Sequence, residues 1–218
     1  MSKRIVIVSG GEIDAELTLS ILEQPESRYI IAVDKGMEFL YEHKIMPSYI
    51  VGDFDSVKTE VADYYRNETT VPIREFNPIK DASDTEIAIR MAITLGATEL
   101  IILGATGGRI DHLWANVQSL SIPHKAGIDA KIIDKQNRIT LIDSKTVLKK
   151  EEAYGPYFSV FPLGQDVLGV TIQGARYPLH NHTITPQDSL CVSNQFEEHE
   201  VVIDLLSGTI ILMETKDK

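Results

Sequence analysis

Two carboxylates separated by one residue follow a short apolar run, in the segment Gly52-Asp53-Phe54-Asp55-Ser56. Because alternate side chains of an extended chain share a face, Asp53 and Asp55 would point the same way, with Cα atoms about 6.5 Å apart. Both carboxylates could then reach one hard cation such as Mg²⁺, directly or through its water. A solvated acidic turn is the commoner explanation of such a pair taken alone, so the metal hypothesis depends on the rest of the chain.

Other acidic and glycine-bearing segments follow apolar runs that are typical of strands. They are Ser9-Gly10-Gly11, Asp34 with Lys35 and Gly36, and Arg109 with Asp111 after the glycine-rich segment 104–108, while the pair Asp81 and Asp84 precedes a predicted helix on the same side of the sheet. In open α/β sheets ligands bind beyond the carboxyl ends of the strands, so we expect these residues at one rim. Carboxylates crowded there would repel one another unless they shared a cation, and Mg²⁺ that bridges carboxylates and substrate phosphates meets that need. Helix caps and turns explain each aspartate singly, but their common placement favours a metal site.

The glycine-rich segment 104–108 can present backbone N–H groups to an anion, and Arg109 adds a charged fork. It is not a P-loop, because G-x-x-x-x-G-K-[ST] is absent from the chain, and the dinucleotide fingerprint G-x-G-x-x-G is absent too. His180 and His182 share a predicted strand face but lack a third metal ligand. The glycine-rich segment 104–108 and Arg109 therefore predict an anion site without identifying the anion.

Strands and helices that alternate along the first part of the chain must position these residues. Strands are predicted at 4–9, 29–33, 49–51, 71–76 and 99–103, and helices at 14–22, 36–43, 57–65, 87–95 and 111–120. The S-x-x-E pattern at 83–86 fits a capping box, and Gly96 ends the helix that follows it. Trp114, Val117 and Leu120 belong to an apolar stripe that we interpret as core. The alternation predicts the α/β class, with a doubly wound, mostly parallel sheet and helices on both faces.

From about Asp129 onward the chain shows short apolar runs separated by turns, and no convincing helix. The runs are 131–134, 138–142, 157–161, 167–172, 189–193, 201–205 and 209–213. This pattern predicts an antiparallel, all-β sandwich or barrel. We place the domain boundary near Asp143, which gives an N-terminal α/β domain at 1–143 and a C-terminal all-β domain at 144–218.

Composition and charge narrow the class of protein. The 218 residues carry a net charge of −11, which argues against nucleic acid as a partner. Cys191 is the only cysteine, so no internal disulfide can form and a reducing compartment is expected. The first apolar run is too short for a signal peptide or a membrane span, so we predict a cytoplasmic protein with no membrane partner.

Several short motifs are informative when they are taken together in their order along the chain. They are V-D-K-G at 33–36, G-D-F-D-S at 52–56, K-D-A-S-D-T-E at 80–86, G-A-T-G-G-R-I-D-H at 104–112, Y-F-S-V-F-P at 157–162, G-A-R-Y-P-L at 174–179 and V-S-N-Q-F at 192–196. This ordered set, which spans nearly the whole chain, resembles the thiamine pyrophosphokinase family. Two departures are visible: Ser83 stands where the family more often has Thr, and Gln195 replaces a frequent Glu. The second departure concerns the thiamine pocket rather than the reaction.

The resemblance implies an enzyme that transfers the terminal diphosphate of ATP to the hydroxyl of thiamine, giving AMP and thiamine diphosphate. It also implies a homodimer with active sites between subunits, in which 1–143 binds nucleotide and metal and 144–218 binds thiamine and contributes to dimerisation. By resemblance, Mg²⁺ would bind to Asp34, Asp53, Asp55 and Asp84. ATP would contact Ser9, Gly10, Gly11, Asp34, Lys35, Gly36, Gly107, Gly108 and Arg109. Thiamine would contact Lys80, Asp81, Asp111, Ser193 and Asn194, the last two from the partner subunit.

The mechanism we expect is in-line attack of the thiamine hydroxyl on the β-phosphorus of ATP, with Mg²⁺ and Arg109 stabilising the developing charge. The catalytic residues would be Asp53, Asp55, Asp84 and Arg109. No histidine is obviously placed as a general base, so Asp84 or Asp55 would orient the attacking hydroxyl. Two alternatives stay open: another Mg²⁺-dependent transferase that uses a nucleotide, and a non-catalytic dimer that binds thiamine or nucleotide.

Overall fold

The computed structural model describes residues 2–75 and 82–218, and the chain divides into two compact units, Met1–Lys135 and Gln136–Lys218. This division precedes the predicted boundary at Asp143, because the strand Asn137–Ile142 pairs along its whole length with Ile210–Thr215 of the second unit. None of the helices in the described residues combines the length and apolar character that crossing a bilayer requires.

A parallel sheet forms the centre of the first unit. Its strands in chain order are β1 (Arg4–Val8), β2 (Tyr29–Val33), β3 (Tyr49–Gly52), β4 (Ile73–Glu75), β5 (Glu99–Leu103) and β6 (Asp129–Ile133). They lie side by side in the order β6-β5-β1-β2-β3-β4, and each neighbouring pair is parallel. The four side chains of residues 5–8 are all 0% exposed, as expected for a strand that is covered on both faces of the sheet. The predicted α/β class is therefore confirmed.

Helices alternate with these strands. They are α1 (Ala15–Leu22), α2 (Gly36–Glu42), α3 (Thr59–Asn67), α4 (Asp84–Thr94), α5 (Ile110–Ser119) and the short α6 (Ser121–Lys125). The Ser83 N-cap of α4 is confirmed, because Ser83 Oγ accepts a hydrogen bond from the Glu86 N–H at 3.2 Å. The Glu86 carboxylate accepts from Arg90 Nε at 2.9 Å, so among the described residues the reciprocal half of the predicted capping box is not formed. Gly96 follows the end of α4 with a φ of 80°, the left-handed conformation that commonly ends a helix.

The orientation of α5 differs from the prediction. The apolar stripe predicts Trp114 in the core, but this side chain is 52% exposed, whereas Val117 and Leu120 are buried as predicted. The reason is Asn116, which is 7% exposed and donates from Nδ2 to the Ala105 carbonyl oxygen at 2.9 Å. Residues two positions apart lie on nearly opposite sides of a helix, so the inward position of Asn116 turns Trp114 outward.

Antiparallel strands make up the second unit. They are β7 (Asn137–Ile142), β8 (Thr146–Lys149), β9 (Tyr157–Pro162), β10 (Val167–Gln173), β11 (Leu179–Ile184), β12 (Asn194–Gln195), β13 (Glu200–Asp204) and β14 (Ile210–Thr215). Within this unit they pair in two groups, β12-β9-β14-β7 and β11-β10-β13-β8. Phe158 and Leu212 of the first group share one buried core with Val170 and Ile203 of the second. The predicted β-sandwich is therefore confirmed.

One predicted strand of this unit, at 189–193, is instead a turn. The Val192 N–H donates back to the Ser189 carbonyl oxygen at 3.3 Å, and Ser193 has a left-handed φ of 57°. A residue with positive φ interrupts an extended strand, so pairing begins only at Asn194. Of the three apolar residues in this run only Cys191 is buried, since Leu190 and Val192 are exposed.

Candidate active site

A cleft of about 700 Å³ lies at the carboxyl ends of the parallel strands of the first unit. Two of its walls are the loops after β1 and β5. These strands are neighbours, but the chain continues from β1 to β2 on one side and from β5 to β6 on the other. Open α/β sheets bind ligands at such a switch point. The ends of β2 and β3 and the first turns of α4 and α5 complete the cleft.

Most of the residues that the sequence predicts to bind ATP or metal line this cleft. They are Ser9, Gly10, Gly11, Asp34, Lys35, Asp53, Asp55, Asp84, Gly107, Gly108 and Arg109. Gly36 is buried beneath it, where a Cβ atom would lie 2.0 Å from the Val8 carbonyl oxygen, so this glycine allows α2 to pack on β1. Asp111 lies beside the lining residues, and Ser193 and Asn194 belong to the second unit. Lys80 and Asp81 lie outside the described residues.

Asp34 and Gly52 approach each other at the ends of β2 and β3. Asp34 has a left-handed φ of 45°, and its backbone N–H donates to the Val51 carbonyl oxygen at 3.2 Å. A Cβ atom on residue 52 would lie only 2.1 Å from Asp34 Oδ1. Glycine at this position therefore leaves the space in which the Asp34 carboxylate lies.

The Asp53-Phe54-Asp55 segment is a turn, not the extended chain that the alternation of its residues predicts. β3 ends at Gly52, and Phe54 is buried with a left-handed φ of 61°. Asp53 Oδ1 accepts a hydrogen bond from the Asp55 backbone N–H at 3.3 Å, which closes the turn. Both carboxylates still line the cleft, held there by the buried Phe54 ring between them.

The aspartates of the cleft can serve as ligands of a hard cation. Among the described residues, no three acidic, histidine or cysteine side chains converge as in a preformed metal site. Mg²⁺, however, is commonly held by one or two carboxylates together with substrate phosphates and water, and not by an all-protein cage. Asp34, Asp53, Asp55 and Asp84, spread along one cleft, fit a cation that also binds a polyphosphate.

The glycine-rich loop after β5 is fixed by hydrogen bonds from the loop after β1. The Gly11 N–H donates to the Gly104 carbonyl oxygen at 2.7 Å, and the Glu12 N–H donates to the Thr106 carbonyl oxygen at 3.0 Å. The glycines at 107–108 then have φ angles of 78° and 60°. Turns of this kind gather successive backbone N–H groups into a concave site for an anion.

Arg109 stands at the rim of the cleft and pairs with Asp111. Its Nε and Nη2 atoms donate to the two carboxylate oxygens of Asp111 at 3.1 and 2.5 Å. The hydrogen bond from Arg109 lowers the pKa of Asp111, and the same bond raises the pKa of Arg109. Both side chains are largely exposed, so the pair orients the guanidinium at the cleft without burying its charge.

Ser9 connects the end of β1 to the first turn of α4. Its hydroxyl lies 3.0 Å from the Thr85 hydroxyl, and the two residues are 3% and 8% exposed. Thr85 follows Asp84, which the same helix turn presents to the cleft. The Ser9 side chain is thus engaged in placing α4.

The cleft is also lined by residues that were not among the predicted ligand contacts. They are Glu12, Ser56, Ser83, Thr85, Thr106, His112 and Asn116. Asn116 is marked in the sequence only as a polar residue within the apolar stripe of a predicted helix. Ser56, Ser83, Thr85, Thr106 and His112 lie within the predicted motifs, whereas Glu12 is brought in by a loop conformation that no local pattern specifies.

In the second unit, the Asn194 side chain is engaged with the chain around Tyr177. Its Nδ2 donates to the Tyr177 carbonyl oxygen at 2.8 Å, and its Oδ1 accepts from the Tyr177 N–H at 3.0 Å. Asn194 is 2% exposed, whereas Ser193 and the Tyr177 ring are exposed. Gln195 Oε1 accepts from Arg176 at 3.1 Å. The buried Asn194 side chain therefore fixes the backbone of Tyr177, and the exposed side chains of Ser193 and Tyr177 form the surface above it.

Comparison with known proteins supplies independent information on both units. Residues 22–132 match the family model described as thiamin pyrophosphokinase, catalytic domain, and residues 145–210 match the model described as thiamin pyrophosphokinase, vitamin B1 binding domain. The thiamine pyrophosphokinase of Bacillus subtilis is 31% identical over 216 residues, which are 99% of this chain and 100% of that protein.

Solved structures agree along the whole length of the chain. A crystal structure of the Bacillus subtilis enzyme superposes with a TM-score of 0.88 at 30% identity, covering 99% of this chain and 100% of that one. A second, from Geobacillus thermodenitrificans, has a TM-score of 0.85 at 29% identity and covers 99% and 98% of the two chains. Both family models, a full-length relative and the shared fold lead to one conclusion: the chain belongs to the thiamine pyrophosphokinase family.

Proposed function

We propose that the cleft of the first unit is the place where this chain transfers the terminal diphosphate of ATP to the hydroxyl of thiamine. The observation that carries the proposal is that four aspartates, a glycine-rich loop and Arg109 line one cleft at the switch point of the sheet. Its volume of about 700 Å³ lies within the range of small-molecule sites. The products are AMP and thiamine diphosphate.

The glycine-rich loop and two cationic side chains would hold the triphosphate. The backbone N–H groups at 106–108 offer donors to phosphate oxygens, as helix N-termini and nests do. Arg109 adds a planar pair of donors, and Lys35 adds a point charge at the end of β2. ATP contacts at 9–11 would come from the loop that supports the glycine-rich loop.

Asp34, Asp53, Asp55 and Asp84 are the proposed ligands of Mg²⁺. When bound, this ion neutralises the charge that develops on the phosphates during transfer. Asp55 is more exposed than Asp53, the other carboxylate of the 53–55 turn, and Asp84 lies in the first helical turn of α4. One of these two would orient the thiamine hydroxyl and accept its proton.

The reaction follows from that placement. The thiamine oxygen forms a bond to the β-phosphorus while the bond from that phosphorus to the α,β-bridging oxygen breaks. The bridging oxygen leaves with AMP, and the hydroxyl proton passes to the Asp55 or Asp84 carboxylate. Because little covalent chemistry falls to the protein, positioning and charge stabilisation supply most of the acceleration.

The thiamine contacts and the assembly belong to the same proposal. Ser193 would contact thiamine, Asn194 would hold the neighbouring surface in place, and Asp111 would lie near the substrate and Arg109. For Lys80 and Asp81, only the family resemblance supports a contact with thiamine. We propose a homodimer with active sites between subunits that works in the reducing cytoplasm.

Product analysis tests this function. Protein, Mg²⁺, ATP and thiamine are mixed, and AMP and thiamine diphosphate are quantified by chromatography. We expect equal amounts of the two, and no AMP when thiamine is omitted. AMP release without thiamine would favour another nucleotide-using transferase, and binding of both ligands without turnover would favour a non-catalytic dimer. ADP with thiamine monophosphate would refute diphosphate transfer.

A further inference from the structure

Asn116 connects helix α5 to the glycine-rich loop of the cleft. The side chain is 7% exposed and lines the cleft, and its Nδ2 donates to the Ala105 carbonyl oxygen at 2.9 Å. This contact sets the rotation of α5, since it draws a polar residue inward and leaves Trp114 at 52% exposure. Packing of the helix alone would be met by an apolar residue at position 116, so we attribute the amide to its hydrogen bond with the loop.

Three successive carbonyl groups of the loop each accept a hydrogen bond from another segment of the chain. Gly104 accepts from the Gly11 N–H, Thr106 accepts from the Glu12 N–H, and Ala105 between them accepts from the Asn116 side chain. The first and third acceptors are bound by backbone donors, which any residue would supply. Only the middle one depends on a side chain, and therefore on the identity of one residue.

The orientation of each carbonyl fixes the N–H group of the next residue. In a planar trans peptide the C=O and the following N–H point in opposite directions. When the Ala105 carbonyl is held by Asn116, the Thr106 N–H points away from α5. Within residues 2–75 and 82–218, no acceptor takes a hydrogen bond from the N–H groups at 106–108. Thr106, Gly107 and Gly108 all line the cleft, so these N–H groups remain for a ligand there.

We propose that Asn116 is a positioning residue for phosphate binding: it locks the peptide between Ala105 and Thr106 so that the Thr106 N–H can donate to a phosphate oxygen. The inference rests on the proposed function only in taking a triphosphate as the ligand of this loop. Without the amide donor, the peptide is free to rotate, and one donor of the nest is lost together with the shape of its neighbours. Binding of phosphate groups weakens, while the adenosine part of the ligand is unaffected.

A purely structural role makes a different prediction. If the amide only satisfied a buried carbonyl, its loss would lower stability and weaken every ligand of the cleft alike. The test therefore compares a ligand that has phosphates with one that has none. Two variants remove the donor: Asn116→Asp keeps the shape but presents carboxylate oxygens to the carbonyl, and Asn116→Ser shortens the side chain without adding charge.

Ser119→Ala is the matched control. Ser119 lies on the same helix, is 8% exposed, and its hydroxyl donates to the Ala115 carbonyl oxygen at 2.9 Å, within the helix and away from the loop. Calorimetry without thiamine gives the Kd of α,β-methylene-ATP, in which the bond that would break is blocked. Ligand-observed NMR gives adenosine binding, and thermal unfolding shows that each variant is folded.

Both Asn116 variants should bind α,β-methylene-ATP about tenfold more weakly, equivalent to about 1.4 kcal/mol, with adenosine binding within twofold of the unchanged protein. Ser119→Ala should alter neither. Unchanged binding of the analogue in a folded Asn116→Ser variant would overturn the proposal, and so would equal losses for the analogue and adenosine. Turnover plays no part in this test, so a protein that bound the analogue but made no thiamine diphosphate would refute the proposed function and leave this inference standing.

Discussion

Replacing Gly52 with alanine tests whether the position of the Asp34 carboxylate matters for the reaction. The new Cβ atom would lie 2.1 Å from Asp34 Oδ1 and 3.2 Å from Asp34 Cγ. Ordinary contact between such atoms requires about 3.5 Å, so the carboxylate must move by roughly 1.4 Å. Misplacing a reacting or metal-binding group by 1 Å can lower the rate about 10²-fold. We therefore expect kcat to fall by about two orders of magnitude.

The assay measures kcat by formation of AMP and thiamine diphosphate, with thermal unfolding in parallel. Gly96→Ala is the control, because Gly96 has a φ of 80° and nothing within 4 Å of an added Cβ. It introduces backbone strain of about 1–2 kcal/mol without a clash, so its melting temperature should fall while kcat stays unchanged. The Asp34→Asn and Gly52→Ala changes act on one group, so the double variant should lose little more than the worse single one.

Wild-type turnover by a folded Gly52→Ala variant would refute the reasoning. It would mean either that Asp34 can move without consequence or that it takes no part in the reaction. Full additivity of the two changes would also contradict it, since additive losses indicate that Gly52 acts through a different group.

Further outcomes follow from other parts of the structure. Asp55→Asn and Asp84→Asn should each lower kcat by about 10²-fold or more, measured at saturating substrates, and near-normal turnover of both would remove these residues from the mechanism. Glu214 is 4% exposed and accepts two hydrogen bonds from Arg138, so Glu214→Gln should destabilise the protein by about 3 kcal/mol in urea unfolding; a change below 1 kcal/mol would contradict the burial argument. Burial raises the pKa of the Cys191 thiol to about 11, so iodoacetamide at pH 8 should modify this thiol only after the protein unfolds. Because the thiol loses its proton at a lower pH in the unfolded chain than in the folded one, the free energy of unfolding should fall as the pH rises from about 9 to 11.

The elements of the fold that depend on local pattern could be predicted. β1 is a continuous apolar run, and such a run indicates a strand that is covered on both faces. This signal is local and needs no information from distant residues. Ser83 and Glu86 are three residues apart, and the cap they form needs no distant partner. The alternation of strands and helices then determines the class of sheet, and with it the rim at which a ligand binds.

Features that depend on distant contacts could not be predicted. The inward turn of Asn116, and with it the exposure of Trp114, follows from a hydrogen bond to a loop eleven residues earlier in the chain. The 189–193 segment has the apolar character of a strand but the backbone of a turn, in which Ser193 has a left-handed φ and its N–H donates to the distant Ser159 Oγ at 3.0 Å.

The site shows the same division. Asp53 and Asp55 do line the cleft, but they reach it through a turn closed by an Asx hydrogen bond, and not through the shared face of a strand. The contact between Asp34 and Gly52 joins two strands and cannot be inferred from either alone. Residue types thus indicated which chemistry gathers at the rim, while the distances there depend on packing between segments.

The central claim is that the β,γ-diphosphate moves as one group, and the fate of the β-phosphorus tests it most directly. ATP labelled with ³²P at the β position is incubated with the protein, Mg²⁺ and thiamine, and the products are separated. We expect the label to leave the nucleotide and appear in thiamine diphosphate, in an amount equal to the unlabelled AMP. Label retained in ADP, with an unlabelled phosphate on thiamine, would contradict the account.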